Sequence, residues 1–241
     1  MADYDSMAWF YNKYWTAYAP ELFSQTLRDF LFPRLATDAA VLDLCCGTGQ
    51  ICKVLTDKGY SVTGLDISEG MLDIARGNAP KAEFVQADAR YFALEKQFDA
   101  VTSFFDSINH LRNLDDLTSC FRSVKKALKP GGIFFFDVND EDVFTESWEN
   151  GFSMIEEDNI CILKPVYDVE SGLDAYNRTM MTKLDSVKWE RTDNTVYEQD
   201  FDPEEIMRAL SMAEFHNIKV LDGDIHLGIS QFQGRVFFLA Q

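Results

Sequence analysis

Short apolar runs alternate with amphipathic stretches along residues 40–138. Residues 49–58, 69–77 and 114–128 repeat their apolar positions with helical spacing. The apolar runs around these helices, which we interpret as buried strands, are AVLDL (40–44), SVTGLDI (61–67), AEFVQA (82–87), FDAVTSFF (98–105) and GIFFFDV (132–138). Such regular alternation predicts a parallel sheet with helices on both faces.

The pattern changes after Asn139. Residues 152–200 carry short alternating segments between polar turns, which is typical of antiparallel strands. Helical spacing returns at 203, and two more strands are expected near 217–225 and 234–240; another helix is expected over 20–32. We predict one α/β domain formed by residues 1–139 and 202–241, with residues 140–201 inserted as a small antiparallel β lid.

Composition narrows the class of protein. The chain has 241 residues, 46% hydrophobic and 26% charged, as in a soluble globular protein. No run approaches the roughly 20 apolar residues of a membrane span. The first ten residues do not resemble a secretory signal. We therefore expect a cytoplasmic protein that does not contact membranes.

Charge disfavours phosphate-rich partners. The formal net charge is −18, and residues 138–202 hold 17 acidic against 5 basic side chains. Proteins that bind nucleic acids normally carry a basic face that neutralises phosphates. We expect no nucleic-acid partner and a small molecule as the substrate.

Three of the five cysteines lie close together, at Cys45, Cys46 and Cys52. Their spacing lacks a second C-x-x-C pair, and the chain has three histidines. We interpret these cysteines as buried small hydrophobes and expect no metal. An odd number of cysteines fits a reducing compartment.

The first strand runs into the turn Cys45-Cys46-Gly47-Thr48-Gly49, where a helix begins. Glycines there allow a ligand to approach the backbone, and the helix start offers free N–H donors. A dinucleotide fingerprint would have a third glycine at position 52, where Cys52 stands. The turn therefore disfavours an NAD- or FAD-dependent oxidoreductase.

Two acids follow at the ends of the next strands. Asp66 stands 17 residues after Gly49, where a carboxylate can accept hydrogen bonds from ribose hydroxyls; it could equally cap the helix that begins near Ser68. Asp88 could accept from an adenine amino group or close a turn. The carboxyl ends of parallel strands meet in one crevice, so these features are expected to converge.

The order D-L-C-C-G-T-G, G-L-D-I-S-E-G-M-L, Q-A-D-A, F-D-A-V and L-K-P-G-G, over about residues 35–138, resembles the class I S-adenosylmethionine-dependent methyltransferases. The resemblance implies a Rossmann-like, doubly wound, mostly parallel seven-stranded sheet with helices on both faces and a small antiparallel β insert after the fifth strand. It also implies S-adenosyl-L-methionine as the cofactor and S-adenosyl-L-homocysteine as the product. The insert resembles the sheet that walls the acceptor pocket in amino-sugar N-methyltransferases and glycine N-methyltransferase.

In that family the glycine turn holds the methionine part, the acid ending the second strand holds the ribose, and a later Asp contacts adenine. Carried over, the implied cofactor-binding residues are Tyr14, Asp43, Cys45, Gly47, Gly49, Asp66, Ile67, Met71, Asp88, Ala89 and Phe104. Cys45 departs from the family pattern, because many members have glycine or alanine there. Met71 would pack on the adenine or fill the helix core.

Candidate acceptor-side residues come from two segments. The stretch that contains Tyr4, Tyr11, Tyr14, Trp15 and Tyr18 resembles the N-terminal Y-D-x-x-A-x-x-Y segment of small-molecule methyltransferases, which folds over the cofactor; aromatic faces also suit a sulfonium. The alternative is an aromatic stripe that docks a helix. His110, after the fourth strand, could accept a proton or fix its loop. His110 and Tyr14 are our candidate catalytic residues.

We predict an enzyme, a monomer or homodimer, that methylates a nitrogen or oxygen of a small-molecule acceptor. The acidic insert either favours a cationic amine or is a solvated face. Three alternatives are a protein that binds S-adenosylmethionine without turnover, a dinucleotide-dependent oxidoreductase, and a protein or nucleic-acid methyltransferase. The last is disfavoured because Phe104-Phe105-Asp106-Ser107 stands where an N-P-P-Y type tetrapeptide would be expected.

Overall fold

A computed structural model describes residues 4–15, 19–140, 151–168, 173–227 and 234–241. Its strands are β1 Ala40–Leu44, β2 Ser61–Asp66, β3 Glu83–Gln86, β4 Phe98–Ser103, β5 Leu128–Asn139, β6 Phe152–Ile155, β7 Asn159–Asp168, β8 Leu173–Lys183, β9 Trp189–Glu198, β10 Lys219–Asp222 and β11 Arg235–Ala240. Its α-helices are α1 Ala8–Phe10, α2 Ala19–Thr26, α3 Gln50–Asp57, α4 Glu69–Asn78, α5 Leu114–Ala127, α6 Pro203–Met212 and α7 Gly223–Leu227. Short 3₁₀ turns lie at Asp5–Met7, Phe32–Arg34 and Ser107–His110, and π-helical turns at Tyr11–Trp15 and Leu27–Leu31.

Seven strands form the larger sheet, in the order β10–β11–β5–β4–β1–β2–β3. Strands β1 to β5 run parallel, and β11 is antiparallel to both β5 and β10. The predicted doubly wound, mostly parallel seven-stranded sheet is confirmed. Chain order reverses beside β1 and β4, which is where sheets of this kind bind ligands, outside the carboxyl ends of the strands.

Successive side chains of the central strands point to opposite faces and build two apolar layers. Phe134 and Phe136 of β5 pack with α5 and α6 on one face. Phe135 packs with α2 and α3 on the other. Buried aromatic rings dominate both layers, which explains why the strands read as nearly continuous apolar runs in the sequence.

Three predicted boundaries differ from the structure. The strand expected near 217–225 ends at Asp222 and is followed by the short helix α7, which carries His226. Asp222 stabilises that helix, because its carboxylate accepts from the N–H of Ile225 at 2.7 Å. β5 begins at Leu128, ahead of the strand predicted at 132–138, and its pairing with β4 is irregular across the L-K-P-G-G segment. The helix expected over 20–32 changes to a π-helical turn after Thr26.

The inserted segment forms a second sheet of four antiparallel strands in the order β6–β7–β8–β9. The antiparallel β insert after the fifth strand is confirmed. Met7 and Phe10 of the N-terminal segment pack against the inner face of this sheet, in a cluster whose other buried members are Cys161, Leu163 and Met180. The N-terminal segment thus lies between the two sheets.

Within the ranges given above, no helix is long and apolar enough to cross a membrane. All five cysteines lie in the described residues as free thiols.

Candidate active site

The turn after β1 holds three residues with a left-handed backbone. The φ angles are 56° at Cys45, 51° at Gly47 and 84° at Gly49. Packing also requires glycine at position 49, because a Cβ there would lie 3.0 Å from the Cβ of Ala75 in α4. Cys45 bears this conformation with a side chain, at a cost of about 1–3 kcal/mol. The turn brings the free N–H groups at the start of α3 to the carboxyl edge of the sheet.

Asp43 is buried under this turn, at 2% exposure. Its carboxylate accepts from the hydroxyl of Thr102 at 2.9 Å and from the thiol of Cys52 at 3.2 Å. Burial raises the pKa of Asp43 to about 7, against the two hydrogen bonds, which lower it. This carboxyl group therefore changes charge near neutral pH, directly beneath the turn.

Asp66 ends β2 beside the same turn. One carboxylate oxygen accepts from the N–H of Gly47 at 2.8 Å and the other from the N–H of Ser68 at 2.9 Å. The helix cap of α4 is the hydroxyl of Ser68, which accepts from the N–H of Met71 at 3.2 Å. Burial raises the pKa of Asp66, while these backbone donors lower it. The N–H of Ile67 also acts on this carboxylate, and because a carboxylate has about four acceptor positions, it can still accept from a ligand hydroxyl.

A pocket opens beside the glycine turn. Its lining residues are Tyr11, Asp43, Cys45, Cys46, Gly47, Gln50, Ile51, Phe104 and Phe105. This lining contains one acid, Asp43, and three aromatic rings, but neither lysine nor arginine. An aromatic pocket suits a sulfonium cation, and this one lacks the cationic side chains that often pair with a diphosphate. The residues present therefore fit S-adenosylmethionine.

The remaining implied cofactor residues lie farther along the same edge. Ile67, next to Asp66, is 54% exposed. An exposed apolar side chain at this position can cover a ligand. Met71 is buried in α4. Asp88 forms an ion pair with Arg90, which donates to both carboxylate oxygens and lowers the pKa of Asp88. Ala89 packs against the core beside it.

Tyr14 lies apart from the glycine turn. Its ring packs on Phe10, with ring centroids 4.7 Å apart, and joins the cluster against the smaller sheet. Tyr11 lies over the turn instead: its Cε1 is 3.7 Å from the position a Cβ on Gly47 would occupy. The structure therefore brings Asp43, Cys45, Gly47 and Phe104 together with Tyr11 and not with Tyr14.

His110 lies between the N-terminal segment and the smaller sheet. Its Nδ1 is 3.2 Å from the carbonyl oxygen of Tyr197, and its Nε2 is 3.0 Å from the hydroxyl of Tyr4. A carbonyl only accepts, so Nδ1 carries the hydrogen and Nε2 of the neutral ring accepts from Tyr4. Burial lowers the pKa of His110, which favours the neutral ring.

The loop that carries His110 is strained at its start. Phe105 and Asp106 have φ angles of 64° and 51°, which residues other than glycine seldom adopt. Arg235 of β11 holds the loop in place: its guanidinium lies 3.1 Å from the carboxylate of Asp106 and also binds Asp137. Burial raises the pKa of Asp137 to about 6, against the lowering effect of Arg235.

Asn109, which is fully buried, joins this loop to both ends of the insert. Its amide nitrogen donates to the carbonyls of Asn139 and Gln199, each at 3.0 Å. Its side-chain oxygen accepts from the N–H of Asn139 at 3.0 Å. The residue before the insert and the residue after β9 are thus held by one side chain next to His110.

The smaller sheet presents two buried charges toward the same region. Arg178 of β8 is 4% exposed and Glu198 of β9 is 3% exposed. The guanidinium of Arg178 lies 4.6 Å from the centroid of the Tyr4 ring, as a cation–π contact. Tyr4 therefore contacts both His110 and the insert, and burial raises its pKa well above the usual range.

Sequence reasoning named Tyr4 and Tyr11 only as members of the N-terminal aromatic stretch, not as cofactor-binding or catalytic candidates, and it did not select Asn109 or Arg235. Tyr4 and Tyr11 are the two tyrosines at the ends of the Y-D-x-x-A-x-x-Y spacing, so that motif was the signal that could have selected them over Tyr14. Asn109 had a weaker signal, its position next to His110. Arg235 had none, because it lies 129 positions from Asp106. Among the described residues no three potential metal ligands come together.

Comparison with known proteins gives three findings. Residues 41–132 match a protein family described as methyltransferase domain. Over 205 residues, covering 83% of each chain, the sequence is 31% identical to the putative methyltransferase YqeM of Bacillus subtilis. Over 116 residues, covering 48% of each chain, it is 34% identical to the dTDP-3-amino-3,4,6-trideoxy-alpha-D-glucopyranose N,N-dimethyltransferase of Streptomyces venezuelae.

A solved structure shares the fold. An S-adenosylmethionine-dependent methyltransferase from Clostridium acetobutylicum superposes with a TM-score of 0.80, covering 99% of this chain and 98% of that one at 24% identity. The similarity extends over both sheets, since nearly all of each chain is covered.

Proposed function

The chain belongs to the S-adenosylmethionine-dependent methyltransferases, and from that premise we propose that it methylates a nitrogen or oxygen of a small-molecule acceptor in the cytoplasm. The acceptor lies between the loop that carries His110 and the inner face of the smaller sheet. Five free thiols support a reducing compartment. The acidic chain supports an acceptor other than a nucleic acid.

The cofactor occupies the pocket beside the glycine turn. When bound, it would supply a methyl group on a sulfonium: an acceptor lone pair would form a bond to the methyl carbon in line, and the carbon–sulfur bond would break to leave neutral S-adenosylhomocysteine. The Asp66 carboxylate accepts from the ribose hydroxyls, and the turn at Gly47 holds the methionine part. Asp88 and Ala89 border the adenine, with Ile67 and Met71 beside them. Phe104 and Tyr11 exclude water from the reacting centre.

The observation that carries the acceptor side is the contact between Tyr4 and His110. Because Nδ1 of His110 donates to the Tyr197 carbonyl, Nε2 has a lone pair directed at the Tyr4 hydroxyl. A proton lost by the acceptor passes to the Tyr4 oxygen as Tyr4 gives its own proton to His110. Tyr4 remains a neutral phenol throughout, which agrees with the raised pKa that burial gives it.

An amine is the first acceptor to test. The Streptomyces venezuelae relative is named for N,N-dimethylation of an amino sugar. Purified protein should release S-adenosylhomocysteine with a member of a panel of amines, amino sugars, amino acids and phenols. Binding of S-adenosylmethionine without turnover of any acceptor would favour the non-catalytic alternative.

Two substitutions test the acceptor side once an acceptor is found. Tyr4→Phe and His110→Ala should each lower turnover about 100-fold, the lower end of what proton transfer contributes, and change the dissociation constant for S-adenosylmethionine by less than about threefold. The exposed His216 offers a control, since His216→Ala should change neither. Equal losses of turnover and of cofactor binding would contradict the assignment.

The pH profile gives a second measurement on the same residues. Protonated His110 cannot accept, and burial holds its pKa below the ordinary value of 6.5. The decline in kcat/KM that is present in wild type and absent from His110→Ala should therefore be centred below pH 6.5, whereas protonation of Asp43 or of an amine acceptor should affect both proteins alike. If the decline that His110→Ala removes were centred above 6.5, His110 would be excluded as the acceptor of the proton.

A further inference from the structure

The N-terminal segment is fastened to the start of α4 by Asp5. One oxygen of its carboxylate accepts from the hydroxyl of Ser68 at 2.6 Å and from the N–H of Gly70 at 3.2 Å. Ser68 is the N-cap of α4 and Gly70 lies in its first turn, where N–H groups have no partner within the helix and a negative charge is stabilised. Asp5 thus satisfies one backbone N–H of an element 65 positions away and also binds the capping hydroxyl.

Gly70 lets the N-terminal segment approach this closely. A Cβ on Gly70 would lie 2.9 Å from the carbonyl oxygen of Asp5 and 3.0 Å from its Cα. Glycine inside a helix costs about 1 kcal/mol relative to alanine, so the helix itself gains nothing from it. Gly77, in the same helix, has no atom within 4 Å of its Cβ position. The two glycines differ in that one is covered by the segment and the other is not.

The fastened segment reaches the proposed cofactor residues in two ways. Ser68, which donates to Asp5, also donates its N–H to the carboxylate of Asp66. Farther along the segment, Tyr11 covers Gly47.

We infer that Asp5 and Gly70 form a latch that holds residues 4–15 closed over the cofactor pocket, and that the cofactor enters and its product leaves only while this latch is open. Asp5 is a positioning residue: it acts through the segment that carries Tyr4 and Tyr11. The inference rests on the proposed assignment of Gly47 and Asp66 to the cofactor site. It does not depend on the identity of the acceptor.

Gly70→Ala tests the latch, and Gly77→Ala in the same helix is its matched control. The added methyl group at position 70 has to displace the backbone of Asp5, whereas at position 77 it enters open space. Gly70→Ala should weaken S-adenosylmethionine binding about tenfold and speed release of S-adenosylhomocysteine by a similar factor. Gly77→Ala should leave both within twofold, although each substitution improves helix propensity equally.

Tryptic cleavage after Lys13 reports the latch without any turnover, because that bond lies inside the fastened segment. Saturating S-adenosylhomocysteine should protect this bond in wild type and in Gly77→Ala, and protect it about tenfold less in Gly70→Ala. Equal protection of all three proteins, together with unchanged affinity, would overturn the latch. Failure of the wild type to bind the cofactor would overturn the site assignment instead.

Asp5→Ala and Asp5→Asn provide a second test, in which the sequence of α4 is unchanged. Asparagine keeps an oxygen that can accept from Ser68 and Gly70, so it should restore most of the affinity lost in Asp5→Ala. With an acceptor in hand, Asp5→Ala should raise the KM for S-adenosylmethionine more than it lowers kcat. An equal loss in both Asp5 variants, or a change in kcat alone, would also contradict the latch. These variants decide the question if Gly70→Ala does not fold.

Discussion

The two sides of the proposed site, one for the cofactor and one for the acceptor, are built in different ways. On the cofactor side, a strand, a turn and a helix follow one another in the chain, and the carboxylate of Asp66 binds Gly47 and Ser68, 19 and 2 positions away. On the acceptor side, Tyr4 meets His110 across 106 positions and Asn109 meets Gln199 across 90. The geometry of the cofactor side depends on little beyond the order of its own strands. The acceptor side forms only after three distant segments have packed together.

The strongest way to break this comparison is to remove the insert. Replacing residues 140–201 by a short turn should leave S-adenosylmethionine binding within about tenfold, or 1.4 kcal/mol. Turnover of the true acceptor should fall at least about 1,000-fold, because the acceptor loses its wall and its alignment. Calorimetry and a product assay on a variant shown to be folded would measure the two effects.

A control for that deletion is available in the insert itself. The turn at 184–188 joins β8 to β9 at the end far from Tyr197, about 30 Å along the strands. Shortening this turn should leave both binding and turnover within twofold. If the full deletion keeps near-normal turnover, the insert does not build the acceptor pocket and the comparison between the two sides fails.

A smaller effect on cofactor affinity should distinguish a carboxylate on the cofactor side from a carboxylate elsewhere on the sheet. Asp66→Ala should weaken S-adenosylmethionine binding by about 1.5–3 kcal/mol, the usual size for hydrogen bonds to a charged group. Asp99 offers a matched control at the opposite edge, since its carboxylate also accepts a backbone N–H, from Ala40 at 2.8 Å. Asp99→Ala should lower stability but not affinity; unchanged affinity in folded Asp66→Ala would contradict the ribose assignment.

The smallest expected effect concerns stability beneath the glycine turn. Burial raises the pKa of Asp43 to about 7, so between about pH 4 and 7 the folded chain binds more protons than the unfolded chain. Its contribution to the free energy of unfolding therefore falls as pH rises through that window. Asp43→Asn removes this loss and should be about 1–2 kcal/mol more stable than wild type at pH 8, a gain in Tm of roughly 2–8 °C.

The difference between Asp43→Asn and wild type should vanish at pH 4, where Asp43 is protonated and uncharged. Thermal unfolding at pH 4 and pH 8 measures it. Asp57 is exposed, and Lys53 lowers its pKa. Asp57→Asn should therefore give a small effect of opposite sign. A constant difference between Asp43→Asn and wild type at both pH values would show that Asp43 does not titrate in this window.

Sequence patterns sufficed for the larger sheet because its central strands are buried on both faces and its helices are amphipathic. The positions of Asp43, Gly47 and Asp66 at one edge follow from strand order alone, since the carboxyl ends of parallel strands meet there. The antiparallel insert was also predictable from its period-two alternation. These features depend on neighbours in the chain.

Two kinds of feature could not be predicted from local sequence patterns. The segment Tyr11–Trp15 is π-helical, so the angular spacing of its side chains departs from the regular helix on which a prediction relies. This explains why Tyr11 rather than Tyr14 lies over the turn. Arg235 and Asp106 form a contact between β11 and the loop after β4, and no local pattern encodes a partner 129 positions away.

The hydrogen-bond network at Asn109 has a consequence for how such proteins diversify. One buried amide fixes the separation of Asn139 and Gln199 whatever the chain does between them. A foreign segment of different length or shape, spliced in between those two positions, would start and finish at the same places and deliver its surface beside His110. With the insert as the proposed wall of the acceptor site, the junction is a grafting point, at which evolution or a protein engineer can exchange the specificity for one metabolite for another while keeping the proposed methyl-donating half of the molecule intact.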